Sequence, residues 1–244
     1  MALQADVSDL DNPIWSSLRS NHRALSLCAG DAARYPPAVA PFLSAASADA
    51  DVADSIASLL APDETVYLLG VAPTLPDRWS LNAYAPLAQM ICTSPIAVID
   101  GPEMIELTEA HRADVFELTA LVYPHYFRPR TMEMGRYFGI YEADNGGHVR
   151  LAAMVGERMG TETHQEISAI CTHPDFLGRG YARRLSAMLT NENLARGRTP
   201  CLHASHENHR ALRMYEQLGY TYRPDIGFWS LRRALVTRFA IPAL

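Results

Sequence analysis

Residues 166–220 read EISAICTHPDFLGRGYARRLSAMLTNENLARGRTPCLHASHENHRALRMYEQLGY, a punctuation that predicts strand, turn, long helix, strand, short helix and a glycine stop. The segment 166–172 is short and rich in Ile and small residues, and His173-Pro174 closes it. Proline lacks an N–H and disfavours helix at the residue before it, so regular pairing ends there. Leu177-Gly178-Arg179-Gly180-Tyr181-Ala182 follows, with two glycines and an alanine on alternate positions. Glycine adopts positive φ without strain and lets a ligand approach the backbone closely. Such a turn running into a helix presents unpaired N–H groups and the positive end of the helix dipole to an anion. Ala182, Leu185, Met188 and Leu189 recur at helical spacing, which predicts one buried face. Together these features predict a phosphate cradle.

Two familiar phosphate loops do not fit it. No Gly-Lys-Ser/Thr follows, so it is not a Walker loop. Arg183 stands where Gly-x-Gly-x-x-Gly needs its third glycine, and no acidic residue follows at the end of a next strand. The stretch instead resembles the acyl-CoA-binding core of the GNAT superfamily of N-acyltransferases. In that family a Gln/Arg-x-x-Gly-x-Gly/Ala signature caps a helix and holds the pyrophosphate of coenzyme A. Here the signature departs at its first position, where Leu177 replaces the Gln or Arg. The second half, Asn208-x-x-Ala211-x-x-x-Tyr215-x-x-Leu218-Gly219-Tyr220, is similar to the family's Asn-x-x-Ala-x-x-x-Tyr-x-x-Leu-Gly-Phe signature. Asn208 suits an N-cap, Ala211, Leu212, Tyr215 and Leu218 form one apolar stripe, and Gly219 stands where a glycine ends a helix. Two signatures in the right order are far more specific than either alone. The branch they most resemble includes glycine N-acyltransferase, whose C-terminal half such a core forms. The resemblance is clear over 166–220, fainter over 104–157 and absent before residue 101.

The resemblance implies an α/β fold with a mixed sheet, acetyl-CoA as co-substrate and an amine-bearing acceptor. By position it places coenzyme A contacts at Ile170, Cys171 and Thr172, at Leu177, Gly178, Arg179, Gly180, Tyr181 and Ala182, and at Asn208, Ala211 and Tyr215. Acyl transfer from a thioester requires a deprotonated amine, stabilisation of the carbonyl oxygen and an acid or electrostatic partner for the leaving thiolate. Tyr215 occupies the family's acid position; its plainer reading is an aromatic on the buried face of a helix. Glu166 is the corresponding base, against the reading of a solvated charge at a strand end. His203, near the end of the next strand, is a second candidate for assisting as base. No nucleophile constellation supports an acyl-enzyme, because Cys171 and Cys201 lie in strands expected to be buried. A non-catalytic acyl-CoA-binding or sensor protein would keep the cradle without acid and base, and the altered Leu177 position suits that alternative.

His203-x-x-His206-x-x-His209 suggests metal binding, yet it spans a strand end, a turn and a helix start, and His206-Glu207-Asn208-His209 is not His-Glu-x-x-His. No metal is expected. Arg179, Arg183 and Arg184 put positive charge at a helix start, against the dipole, which hints at an anionic ligand. The segment 123–133, with Arg128 and Arg130 among aromatics, lies where the family forms its acceptor wall, and a guanidinium there would hold an acceptor carboxylate bidentately. Surface charge is the competing explanation.

With 244 residues, the chain has room for one large or two modest domains with ample core. A net charge of −6 argues against non-specific nucleic-acid binding. Cys28, Cys92, Cys171 and Cys201 are spread without Cys-x-x-Cys pairing, as in a reduced, cytoplasmic protein. The N-terminal stretch MALQADVSDLDNP lacks a basic n-region and apolar h-region, and no apolar run is long enough to span a membrane. A monomer or homodimer is expected.

The best boundary lies at 94–102, a strand-like IAVID run between turn residues. Residues 1–100 are expected to form an accessory α/β domain, a degenerate copy of the catalytic fold, and 101–244 the acetyltransferase domain. Within the first, helices are expected over 12–26 and 47–60, an extended piece over 39–42, and strands over 65–71, 80–84 and 87–92. The second should contain a strand over 104–107, Thr108 as N-cap of a helix over 109–122, and a short helix over 131–138. A hairpin over 140–157 with its turn at Asp144-Asn145-Gly146-Gly147, closing strands over 222–231 and a tail over 232–244 complete it.

Overall fold

The computed structural model describes residues 7–234 apart from 123, 125 and 145. In chain order its strands are β1 (Leu27–Ala29), β2 (Ala32–Arg34), β3 (Leu43–Ala45), β4 (Val66–Leu69), β5 (Trp79–Ala83), β6 (Leu87–Ile91) and β7 (Ile105–Leu107). They continue with β8 (Tyr137–Ala143), β9 (Val149–Arg158), β10 (His164–Thr172), β11 (Thr199–Ser205), β12 (Thr221–Tyr222) and β13 (Phe228–Arg233). The helices are α1 (Pro13–Arg19), α2 (Ala53–Leu59), α3 (Arg112–Val122), α4 (Tyr181–Ala195) and α5 (His209–Gln217).

Seven strands form the main sheet in the order β12-β6-β11-β10-β9-β8-β7. Only β10 and β11 in it run parallel, joined by the crossover through α4 that such a pair requires. The fold is therefore the expected α/β fold with a mixed sheet. On one face α4 packs Tyr181, Leu185 and Leu189 against Phe138, Ile140, Val155 and Ile167. Beside it α5 packs Leu212 and Tyr215, with Leu218 just after, on Ala88, Met90 and Leu202. On the other face α3 covers Leu107, Tyr137 and Met154 with Val115 and Leu118. Thr108 begins that region as predicted, in a capping box whose partner is His111.

The strand pairings run across residue 100. β6 lies between β11 and β12 in the main sheet, while β13 sits between β4 and β5 in a separate antiparallel sheet. A third small sheet, β1-β2-β3, is also antiparallel.

Several local expectations change. Residues 131–138 are not a helix: a 3₁₀ turn covers Thr131–Met134, and Tyr137 and Phe138 already belong to β8. Burial decides this, because both rings fill the core on opposite faces of the sheet. The helix expected over 47–60 forms only as α2, Ala53–Leu59, and the IAVID run has no strand partner. The extended piece expected at 39–42 gives way to a turn that ends just before β3, with Phe42 making an isolated bridge to Tyr67. The first helix ends at Arg19, with a further 3₁₀ turn at Arg23–Leu25. Of the expected tail, residues 235–244 lie outside the described residues, and Arg232 and Arg233 belong to β13.

Candidate active site

The site begins where two parallel strands part. β10 and β11 pair only from His164↔Thr199 to Glu166↔Cys201. Beyond that β11 continues along β6, and β10 continues along β9. A β-bulge in β10 sets the departure: the register shifts between Ser168 and Cys171, and Ala169 takes a φ of 49°. An extra residue reverses which face each later side chain meets. Ile167 packs toward α4, whereas Ala169 and Cys171 pack toward α3 although all three share one parity.

The notch opens into a cavity of about 770 Å³. Ser168, Ala169, Ile170 and Cys171 line one side, and His203, Ala204 and Ser205 line the other. Asn208 and Tyr215 also line it. Asn208 caps α5, its Oδ1 accepting from the Ala211 N–H at 3.2 Å. Tyr215 is 7% exposed and its ring lies 6.0 Å from that of Tyr220.

The glycine loop leads into α4 as expected. Gly178 and Gly180 have φ of 81° and 79°, and Gly180 is the left-handed N-cap. A Cβ on Gly178 would meet nothing within 4 Å, so its open side is accessible to a ligand, whereas one on Gly180 would meet Ile99 at 3.2 Å. Leu177 is half exposed. Arg179 stacks its guanidinium 4.9 Å over Phe176 beside the loop. Arg183 and Arg184 are committed elsewhere: Arg183 donates to Gln217, and Arg184 to the carbonyls of Ile99 and Pro102. Their placement is thus explained by contacts within the chain.

Glu166 is not a solvated strand end. It is 1% exposed, accepts from Arg158 Nε and Nη2 at 2.6 and 2.8 Å, and lies 2.7 Å from His203 Nδ1. Burial alone would raise its pKa, but the Arg158 charge and hydrogen bonds, with His203, outweigh it and hold the carboxyl at about 2. The carboxyl is thus held ionised between Arg158 and His203.

The network runs on. His203 Nε2 lies 2.9 Å from Gln89 Nε2, which also donates to the Leu10 carbonyl at 2.9 Å, while Arg223 donates to Gln89 Oε1. These contacts fix the amide, so Gln89 donates to His203 Nε2 and His203 Nδ1–H donates to Glu166. His203 is thereby held in place between Gln89 and Glu166. Arg158 and Gln89 were missed in the sequence. Arg158 is cross-strand to Glu166, a relation visible only once the β9–β10 register is known.

The segment 123–133 contributes one described ring to the cavity, and its Arg130 is paired at the surface. Arg130 forms a bidentate pair with Glu133 at 2.6 and 2.7 Å on the surface, and Tyr126, not Arg128 or Arg130, lines the cavity. Tyr123 and His125 lie outside the described residues. The three histidines do not converge: His203 joins Glu166 and His206 Nε2 lies 2.8 Å from Asp225. Among the described residues no group of three or more His, Cys, Asp or Glu side chains is placed to hold a metal, and no helix is long and apolar enough to cross a membrane.

Comparison with known proteins agrees with this geometry. The family model described as FR47-like protein matches residues 137–229. A GNAT-family protein from Novosphingobium aromaticivorans, crystallised and described as an acetyltransferase, is 32% identical, with 92% of this chain and 98% of that chain covered and a TM-score of 0.79. The chain belongs to the GNAT acetyltransferase family. A GCN5-related N-acetyltransferase from Kribbella flavida shares the fold at 15% identity, with 96% of each chain covered and a TM-score of 0.58. A GCN5-related N-acetyltransferase-like protein from Streptococcus suis does so at 13% identity, with 93% of this chain and 97% of that chain covered and a TM-score of 0.53. No curated protein matches the sequence.

Proposed function

We propose that the chain transfers the acetyl group of acetyl-CoA to a primary amine by direct attack in a ternary complex. The observation that carries this reading is the parting of β10 and β11 into a cavity that Tyr215 also lines. Unpaired strand edges on either side of the notch suit an extended pantetheine arm. Gly178, Arg179, Gly180, Tyr181 and Ala182 at the start of α4 suit the pyrophosphate, with Leu177 supplying only apolar contact. Ile170, Cys171 and Thr172 line the arm's path, and Asn208 and Ala211 shape its far wall.

In the reaction the amine nitrogen bonds to the thioester carbon, and N–H groups of the β10 bulge stabilise the oxygen as charge develops. The C–S bond then breaks and Tyr215 protonates the departing sulfur, later regaining its proton from water. The amine's proton leaves through water in the cavity. Glu166 acts as a positioning residue, fixing Arg158 and His203 beside the notch. Direct attack suits the cysteines: burial pushes the Cys171 thiol up to about 12, and burial, reinforced by the Glu166 charge, raises Cys201 well above the usual range. Neither supplies a thiolate near neutral pH.

Calorimetric titration with acetyl-CoA, with ATP and NADPH as controls, tests the reading. Selective binding of acetyl-CoA is expected; absence of binding to it overturns the proposal. Gly178→Ala should weaken that binding roughly tenfold, about 1.4 kcal/mol. The strain of a left-handed alanine, about 1–2 kcal/mol of stability, is shared by Gly197→Ala, which also has positive φ and open space at its Cβ but lies beyond α4. Gly197→Ala should leave the affinity intact.

A further inference from the structure

Away from the notch, the cavity is walled by rings drawn from distant parts of the chain: Phe42, Tyr67, Tyr84, Tyr126 and Phe228. Strand pairing brings together the rings of Tyr67, Tyr84 and Phe228, and Phe42 bridges to Tyr67. Ser230 opposes Tyr67 and Phe228 opposes Leu69, so Tyr67 and Phe228 are diagonal neighbours on one face and stack at 5.6 Å with their planes 14° apart. The Tyr84 N–H donates to the Phe228 carbonyl, which brings the Tyr84 ring to 5.2 Å from Phe228. Tyr126 stands edge-on to Tyr67 at 5.2 Å and stacks over Phe42 at 6.2 Å. The wall therefore offers both ring faces and ring edges to a guest, the two arrangements that aromatic pairs favour.

The charges at this wall argue for the same kind of guest. Among the described residues lining the cavity, Arg158 and Glu207 carry charge. Arg158 is matched by Glu166 and lies 5.0 Å over the Phe42 ring, while Glu207 is exposed. A polyamine would need several carboxylates along its length, and an amino acid's carboxylate would have to compete with Glu166 for Arg158. The cavity's volume falls in the small-molecule range.

We propose that the acceptor is a primary amine on a flat aromatic body, an arylalkylamine, whose ring lies among these side chains and whose nitrogen points at the β10 bulge. The proposal rests on the acetyl-transfer reading and adds the substrate class. It is tested with the full chain and acetyl-CoA by following thiol release with 2-phenylethylamine, n-butylamine, glycine and spermidine. The expected result is a kcat/KM for 2-phenylethylamine about tenfold or more above the other three, the scale of hydrophobic-pocket discrimination. Tyr84→Ala removes a ring that is 48% exposed and so makes little demand on folding. It should raise the KM for 2-phenylethylamine about fivefold, within the usual worth of an aromatic pair, with kcat little changed. Phe228→Leu, which keeps the strand apolar, should act in the same direction. Faster turnover of glycine or spermidine, or an unmoved KM in both variants, overturns the proposal. Acetyl-CoA affinity is read separately by calorimetry: binding without preference for the arylalkylamine refutes the acceptor class alone, and no binding removes both readings.

Discussion

Glu166→Gln is expected to lower the stability of the fold by roughly 3–5 kcal/mol, the cost of breaking a buried ion pair by removing one partner's charge. Glutamine preserves the shape, but Arg158 then faces a neutral amide in a site where the acidic side chain is 1% exposed. The same pair predicts a pH dependence. The carboxyl has a pKa of about 2 when folded against its usual 4.5, so its contribution is fully present above 4.5 and fades as pH falls from there toward 2. Denaturant unfolding at pH 7 and at pH 3 checks both statements. The wild-type chain should lose stability between these values by more than Glu166→Gln does. An unchanged unfolding midpoint at pH 7 with a collapsed turnover would return Glu166 to the role of base.

Tyr215→Phe should reduce kcat by about a hundredfold or more at neutral pH, in the range a positioned acid contributes. Its acetyl-CoA affinity should stay within about twofold, about 0.4 kcal/mol. Phenylalanine keeps the ring packed beside Tyr220 and the α5 stripe, so the loss falls on proton supply. A thiol with a pKa of about 8.5 needs that proton less as pH rises. The deficit should accordingly narrow above that pH, which a pH–rate profile of both proteins will show. A parallel drop at every pH would mean that the hydroxyl orients the thioester instead.

The sequence was most readable where function compresses structure into a short span. From residue 166 to 220 each element is marked locally, by His173-Pro174, by the paired glycines, by Asn208 as cap and by Gly219 as stop, and each lies where it was expected. Local marks fail where tertiary pairing decides. Tyr137 and Phe138 follow a run that reads as helical, yet they form β8 because the sheet buries both rings. The crossing of β6 and β13 between sheets depends on long-range pairing that no local pattern records. The site divides in the same way. Tyr215 and the glycine loop were visible as motifs, whereas Gln89, Arg158 and the aromatic wall come from separated positions and become neighbours only through the tertiary fold, strand register above all. Glu166 was found but its surroundings, the Arg158 pair and the His203 contact, were not.

Coenzyme A release measured with and without an amine, alongside the intact mass of the protein, tests the central claim most directly. Direct transfer predicts that thiol appears only when an amine is present, in equal amount to the N-acetyl product, with no change in protein mass. A burst of thiol and an added acetyl group on the chain without amine would contradict it, as would binding of acetyl-CoA with no transfer to any amine.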